Sequence, residues 1–356
     1  MEELIGKIGK RIADSEKNLG LDWRFSYSNV VVIGEKRVRV EVTSAEIYEA
    51  LKSVHPIEMH VTSDTGTRVS LETTEGTAIE IVLLRPPEGH RLWVVSSVAD
   101  MRRSPDHASE LVNQGIMGEV FEGLKKQDDW HLCRTKEGYL GWVRSWYLEE
   151  AESSAIDSYD SRRNRMVKAS IAYIYSSPSS SSLPVSDAVA GTCIVSVGKL
   201  GDFEEVLLPV SRRGFVKGED IERYQPQRKP DRSRLIERAR RFIGIQYLWG
   251  GTSSKGFDCS GFVKRVFGME GVELPRDSDM QAQVGTLVPL EDIGRAAKGD
   301  LLFFGEKGSV THVALYTGGG RFIHSYGEVK MGSLDEDDPE YDEKLARSLL
   351  FARKIL

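Results

Sequence analysis

Cysteine is scarce in this sequence. The three present, Cys133, Cys193 and Cys259, lie far apart. An odd, sparse set supplies no disulfide framework and suits a reducing compartment. Zinc-ligand spacing between cysteine and histidine is missing as well. His55 and His60 stand close together, but no metal and no organic cofactor is expected. A concentrated basic tract is also lacking. With a formal charge of -6, the chain does not read as a nucleic-acid binder. Arg238, Arg240 and Arg241 fit a solvated helix face instead. No apolar run is long enough to cross a bilayer, so neither nucleic acid nor membrane is expected as a partner. The N-terminus, M-E-E-L-I-G-K-I-G-K-R-I-A-D, has no unbroken apolar stretch of the kind a secretion signal needs. Leu4, Ile8 and Ile12 recur there at helical spacing, with Glu2 and Glu3 leading and Lys10 and Arg11 trailing. That pattern predicts an amphipathic helix whose charges suit its dipole, and a cytoplasmic protein.

What is present describes a soluble, core-forming chain. Its 356 residues are 40% hydrophobic and 29% charged, which suits roughly two to four domains. Residues 1–88 read as a small α/β unit: Val38, Val40 and Val42 alternate with charges, as do Ile79, Ile81 and Leu83 with their neighbours. Ser44 is placed to cap a short helix ending before His55-Pro56. Pro86-Pro87-Glu88-Gly89 marks a boundary. No chemistry is evident before it. Residues 91–150 then change to short strands separated by turns, ending in G-Y-L-G-W-V. A weaker second copy follows at 166–224, with the serine run Ser179 to Ser182 as a loop excursion. The stretch Glu152 to Arg165 is polar, without apolar periodicity, and reads as the linker between them. In residues 232–356, Asp231 or Ser233 can cap a helix carrying Leu235, Ile236, Ala239 and Phe242, which Gly244 ends. Helices first and an antiparallel sheet after predict an α+β arrangement.

The densest signal is Y-L-W-G-G-T-S-S-K-G-F-D-C-S-G-F-V-K-R-V-F. Phe262, Val263, Val266 and Phe267 share one helical face, so a helix should begin near Cys259. A cysteine on a first turn faces unpaired N–H groups and the positive end of the dipole, which favour thiolate. The preceding glycines leave space for a substrate backbone. A buried structural cysteine is the alternative, until T-H-V-A-L-Y-T-G-G-G-R-F-I-H-S is considered. Two alternating runs flank a glycine turn, a hairpin signature. A turn centred on Gly318 sets His312 and His324 directly opposite, with Cβ atoms about 4.5–5.5 Å apart. One imidazole then serves the thiol as base and the other orients it.

These pieces, with L-P-R-D-S and K-G-D-L-L-F-F, resemble the NlpC/P60 family of papain-like cysteine peptidases across residues 232–356. Residues 91–150 and 166–224 resemble bacterial SH3-type barrels. The chain is thus expected to be multidomain: an N-terminal α/β unit, two SH3-like β-barrels and an α+β papain-like catalytic domain. The resemblance implies Cys259 as nucleophile, His312 as general base, His324 as the orienting residue, and Tyr247 as an oxyanion neighbour or else a core aromatic. It also implies hydrolysis of the γ-D-glutamyl–diamino acid bond, usually to meso-diaminopimelate, in murein peptides with a free N-terminal L-alanine, a recycling reaction. For binding that peptide it implies Asp277 and Ser278, with Asp258 and Ser260 beside the nucleophile and Glu119 and Tyr139 from the first barrel. Asp258 equally suits a helix cap, Glu119 a solvated charge and Tyr139 a packing residue. An amidase or acyltransferase on the same fold, and a non-enzymatic peptidoglycan-binding protein, are the competing functions. The acidic stretch D-E-D-D-P-E-Y-D-E lacks the spacing of a calcium loop and reads as solvated.

Overall fold

Alternating valines build the first sheet. In the computed structural model, which describes residues 2–53, 59–64, 67–73 and 76–356, strand Arg37–Val42 buries Val38, Val40 and Val42. It runs parallel to Ala78–Leu83, which buries Ile79, Ile81 and Leu83. The chain divides into two units, residues 1–91 with 121–142, and residues 92–120 with 143–356. The first holds a five-stranded sheet ordered Ser28–Gly34, Arg37–Val42, Ala78–Leu83, Arg68–Thr73, Met59–Asp64. Helix Glu2–Leu19 lays Ile8 and Ile12 on its core. Helix Ala45–Ser53 adds Ile47, Tyr48 and Leu51, and its first turn is capped by Ser44 Oγ, which accepts from the Ile47 N–H at 3.1 Å. His55 and the side chain of His60 lie outside the described residues. This unit also carries the hairpin of Trp130–Arg134 with 122–127, whose Leu124, Trp130, Leu132, Leu140 and Trp142 form one apolar cluster.

In the second unit, Val98–Arg102 pairs antiparallel with Leu111–Ile116. Residues 165–223 form a seven-stranded sheet around Val167, Ala172, Ile174, Ile194, Val206 and Val216. The serine run falls in the loop between strands Ile171–Tyr175 and Pro184–Val189. The expected linker at 152–165 connects the two strand-rich segments through a helix, Ser153–Asp160, with an apolar face that was not expected. Ile156 and Tyr159, three residues apart, are an apolar face too short to register as a period, and they pack against Trp93 and Val195.

The last segment begins with helix Arg232–Arg240, capped by Asp231 accepting from the Arg234 N–H at 2.8 Å. A six-stranded antiparallel sheet follows, ordered Thr286–Pro289, Leu349–Lys354, Leu301–Glu306, Ser309–Gly318, Arg321–Tyr326, Glu328–Ser333. Helix Cys259–Gly268 buries Phe262, Val263, Val266 and Phe267 on one face of it, against Leu301, Phe303, Val313, Leu315 and Ile323. The other face gathers Leu302, Phe304, Ala314, Phe322 and Leu349. A helix covering the middle of an antiparallel sheet fixes where the helix's first residue meets the strands, and that residue is Cys259.

Candidate active site

The helix starts where a cap permits it. Asp258 is extended, and its Oδ1 accepts from the Gly261 N–H at 2.7 Å, satisfying one of the orphan donors of the first turn. The same carboxylate accepts from the Gly250 N–H at 3.0 Å and from Ser260 Oγ at 3.1 Å. Arg276, 1% exposed, clamps it with both Nη atoms and also donates to Ser260 Oγ at 3.0 Å. Substrate contact was one expectation for Asp258 and Ser260, and a helix cap was the other for Asp258. Both side chains are buried and spent on the helix start. Gln281, fully buried, donates to Ser260 O at 3.1 Å and Pro275 O at 2.8 Å, tying the Arg276 loop to the same turn. Arg276 lies inside L-P-R-D-S, where residue type alone assigns it no role, and no sequence pattern marks Gln281. A buried Asp beside the nucleophile requires a cation, and that requirement was the available signal for Arg276.

The glycines also serve the protein itself. A Cβ on Gly250, whose φ is +76°, would lie 2.2 Å from Leu111 O, and one on Gly261 would lie 2.1 Å from Gly251 O. The space expected for a substrate backbone is occupied by neighbouring main chain. The loop is held from the barrel side by Gln114, whose Oε1 accepts from the Thr252 N–H and from Ser253 Oγ, each at 3.0 Å.

Cys259 is 9% exposed. Burial, and then the Asp258 charge, push its thiol up to about 12. The N–H groups of Val313 and Ser260 and the Arg276 charge oppose that rise without overcoming it. The thiolate expected from the helix start is therefore not the resting form, because desolvation of the charged sulfur outweighs the first-turn donors. The Val313 N–H places the thiol beside the residue following His312.

His312 Nε2 lies 2.9 Å from His324 Nδ1, with the rings at 84°. Burial lowers His312 to about 4, and burial with the His312 and Lys330 charges lowers His324 to about 3. Both imidazoles are neutral at neutral pH. The hairpin register differs from expectation. Leu315 pairs with Ile323 and Tyr316 with Phe322, with an irregularity before Gly318 pairs with Arg321. Extended, that register sets His312 across from Tyr326, not from His324. The two histidines are diagonal neighbours on one face, a separation that rings can still bridge. The three consecutive glycines, all at positive φ, lengthen the turn and shift the pairing. His324 is fully buried, and among the described residues its Nε2 has no hydrogen-bond partner. Since His324 occupies Nε2 of His312, Nδ1 of His312 is the nitrogen left for the thiol.

Tyr247 is positioned by its N–H donating to Gly327 O at 2.8 Å. Burial, followed by the charges of Cys259 and Asp258, raises its hydroxyl well above the usual range, so it stays a donor. Asp277 and Ser278 are half-buried at the start of the turn Ser278–Gln281. Asp277 makes no cap bond there and lies 3.7 Å from Arg276 Nη1. Glu119 accepts from the Ile116 N–H at 3.2 Å and lies 3.6 Å from Arg265. Tyr139, in the first unit, is 2% exposed and packed edge-on by Trp23 and Phe25, which is the packing alternative. Glu110, which no sequence pattern singled out, accepts from Trp249 Nε1 at 2.9 Å. Trp249 is 63% exposed and only two residues beyond Tyr247.

The sequence and the fold are similar to those of known proteins. Residues 244–346 match the NlpC/P60 family, and residues 101–146 match the bacterial dipeptidyl-peptidase Sh3 domain. A Bacillus cereus protein named gamma-D-glutamyl-L-lysine dipeptidyl-peptidase is 31% identical over 269 residues, 71% of this chain and 79% of its own. A Bacillus subtilis protein of the same name is 30% identical over 254 residues, 68% of this chain and 81% of its own. The crystal structure of an NlpC/P60 family protein from Bacillus cereus superposes with a TM-score of 0.64 at 26% identity, covering 75% of this chain and 99% of that one. The chain carries an SH3-like domain ahead of its catalytic domain, and it belongs to the NlpC/P60 family of cysteine peptidases.

Proposed function

We propose that this peptidase hydrolyses the γ-D-glutamyl–diamino acid bond of murein peptides bearing a free N-terminal L-alanine. The observation that carries the chemistry is the 2.9 Å contact between His312 and His324, beside a cysteine that opens a capped helix. The γ-D-glutamyl bond rests on the names of the two Bacillus relatives, and the murein peptide with its free L-alanine on the family resemblance. Those names specify L-lysine as the second residue, so lysine stands beside diaminopimelate as the diamino acid to test.

Cys259 attacks the γ-carbonyl carbon of D-glutamate as its proton passes to Nδ1 of His312. Donation from His312 Nε2 to His324 Nδ1 steadies the imidazolium that forms. The developing oxyanion accepts from the Tyr247 hydroxyl. Collapse expels the diamino acid's amine, which takes the proton from His312, and leaves a γ-thioester. Water, deprotonated by His312, then attacks the thioester, and the thiolate leaving group recovers that proton.

For the free α-ammonium, the support lies with half-buried Asp277 and Ser278. Among acidic groups of the barrel, Glu110, bonded to Trp249 in the Tyr247 loop and paired with Arg103 at 3.4 Å, stands beside Glu119, which lies 3.6 Å from Arg265. The reading takes no ligand from Asp258, Ser260 or Tyr139. Cell-wall peptide recycling follows if a free amine is required.

Digestion of L-Ala-γ-D-Glu-meso-diaminopimelate, its L-lysine counterpart and their N-acetylated twins, followed by mass spectrometry, tests this. Release of the diamino acid from the free-amine peptides alone is expected. Equal cleavage of the acetylated twins would remove the ammonium requirement. Cleavage of none, with Cys259 still alkylated by a thiol reagent, would favour an amidase or acyltransferase.

A further inference from the structure

Two side chains on the histidine face have no part in the mechanism above. Tyr326 ends the strand of His324, is 57% exposed, and stacks parallel to the His324 ring at 6.4 Å and edge-on to His312 at 6.1 Å. Lys330 is the direct cross-strand partner of His324, so both side chains stand on the same face. Its Nζ lies 5.6 Å from the centre of the Tyr326 ring. It is half-buried and, among the described residues, has no carboxylate partner.

A lone ammonium is a poor neighbour for a base pair that must accept a proton. Its field already disfavours charge on His324, and the imidazolium formed during thiol attack would feel the same repulsion. An anion beside Lys330 removes that penalty. The reaction supplies one in the right place. The amine that takes the proton from His312 belongs to the departing residue, which therefore leaves beside the ring that Tyr326 meets edge-on at 6.1 Å, and Lys330 lies against Tyr326. One carbon from the amine, it carries its α-carboxylate.

We propose that Lys330, steadied over Tyr326, binds the α-carboxylate of the departing residue, so that peptides ending at the diamino acid are preferred over those continuing past it. This rests on the reaction assigned above. In a longer or blocked peptide that carboxylate is an amide, which offers no charge to Lys330 and leaves its field on the histidines.

Steady-state hydrolysis of L-Ala-γ-D-Glu-L-Lys and of its C-terminal amide decides it. The unaltered enzyme should favour the free acid by about tenfold or more in kcat/KM, as a charge-assisted contact implies, with most of the difference in KM. Lys330→Met should bring the ratio close to one, and Lys330→Arg should keep most of it. Equal use of both peptides by the unaltered enzyme, or an undiminished ratio in folded Lys330→Met, would overturn the proposal and leave the parent reaction standing. Cleavage of neither peptide, nor of the meso-diaminopimelate counterparts, by the unaltered enzyme would overturn the reaction and this inference together.

Discussion

Cys259 illustrates how a single residue's environment departs from its local motif. A cysteine at a helix N-terminus is ordinarily read as an activated thiolate. Here the sulfur is almost fully covered, Asp258 adds a negative charge next to it, and the thiol rises to about 12. In the proposed reaction, proton transfer to His312 therefore accompanies attack instead of preceding it. The consequence is measurable with iodoacetamide. Well below its pKa a thiol gains about tenfold in thiolate per pH unit, so the inactivation rate should climb without a plateau from pH 7 to pH 9. A flat rate over that range would mean a preformed thiolate–imidazolium pair and would refute the neutral resting state. Residue type and spacing mark Cys259, His312 and His324 as candidates. The protonation state is not legible in that way, because it depends on which atoms exclude water from the sulfur.

At the level of elements, the helix Cys259–Gly268 and the hairpin of Ser309–Gly318 with Arg321–Tyr326 do the positioning. The helix was foreseeable from its apolar face and from Asp258 as a possible cap. The register of the hairpin was not, since three successive glycines permit turns of several lengths and only packing of Phe322 and Ala314 in one cluster selects among them. The nucleophile helix is also held by a backbone approach that side-chain patterns do not reveal. Gly261→Ala would drive a Cβ to 2.1 Å from Gly251 O, and neither backbone can retreat without disturbing the Asp258 cap. A loss of about 1–3 kcal/mol is expected from such overpacking, read by chemical denaturation, together with reduced turnover. Unchanged stability would show that the loop yields.

At the scale of the whole second unit, the barrel strand Leu111–Ile116 holds the loop that leads into the Cys259 helix. Gln114 receives the Thr252 N–H and the Ser253 hydroxyl through one oxygen, donates to Asp100 through its amide nitrogen, and is itself buried. Gln114→Ala would strand the buried Thr252 N–H at a cost of about 1–3 kcal/mol. The melting temperature and kcat should fall together, although Gln114 touches no reacting atom. A melting temperature unchanged by the substitution would exclude this hold on the loop.

Much was set by the sequence alone: the order of α/β unit, strand-rich middle and α+β peptidase segment, and the candidate cysteine with its two histidines. Those features are local, written in periodicity of two or 3.6 residues and in residue chemistry at short spacing. Tertiary structure decided that Asp258 and Ser260 serve the helix start, that Arg276 and Gln281 lock it, that residues 153–160 form a helix, that the histidines meet diagonally, and that the thiol rests protonated. Each of these depends on which distant groups share a low-dielectric, close-packed space, and sequence spacing carries no record of that proximity.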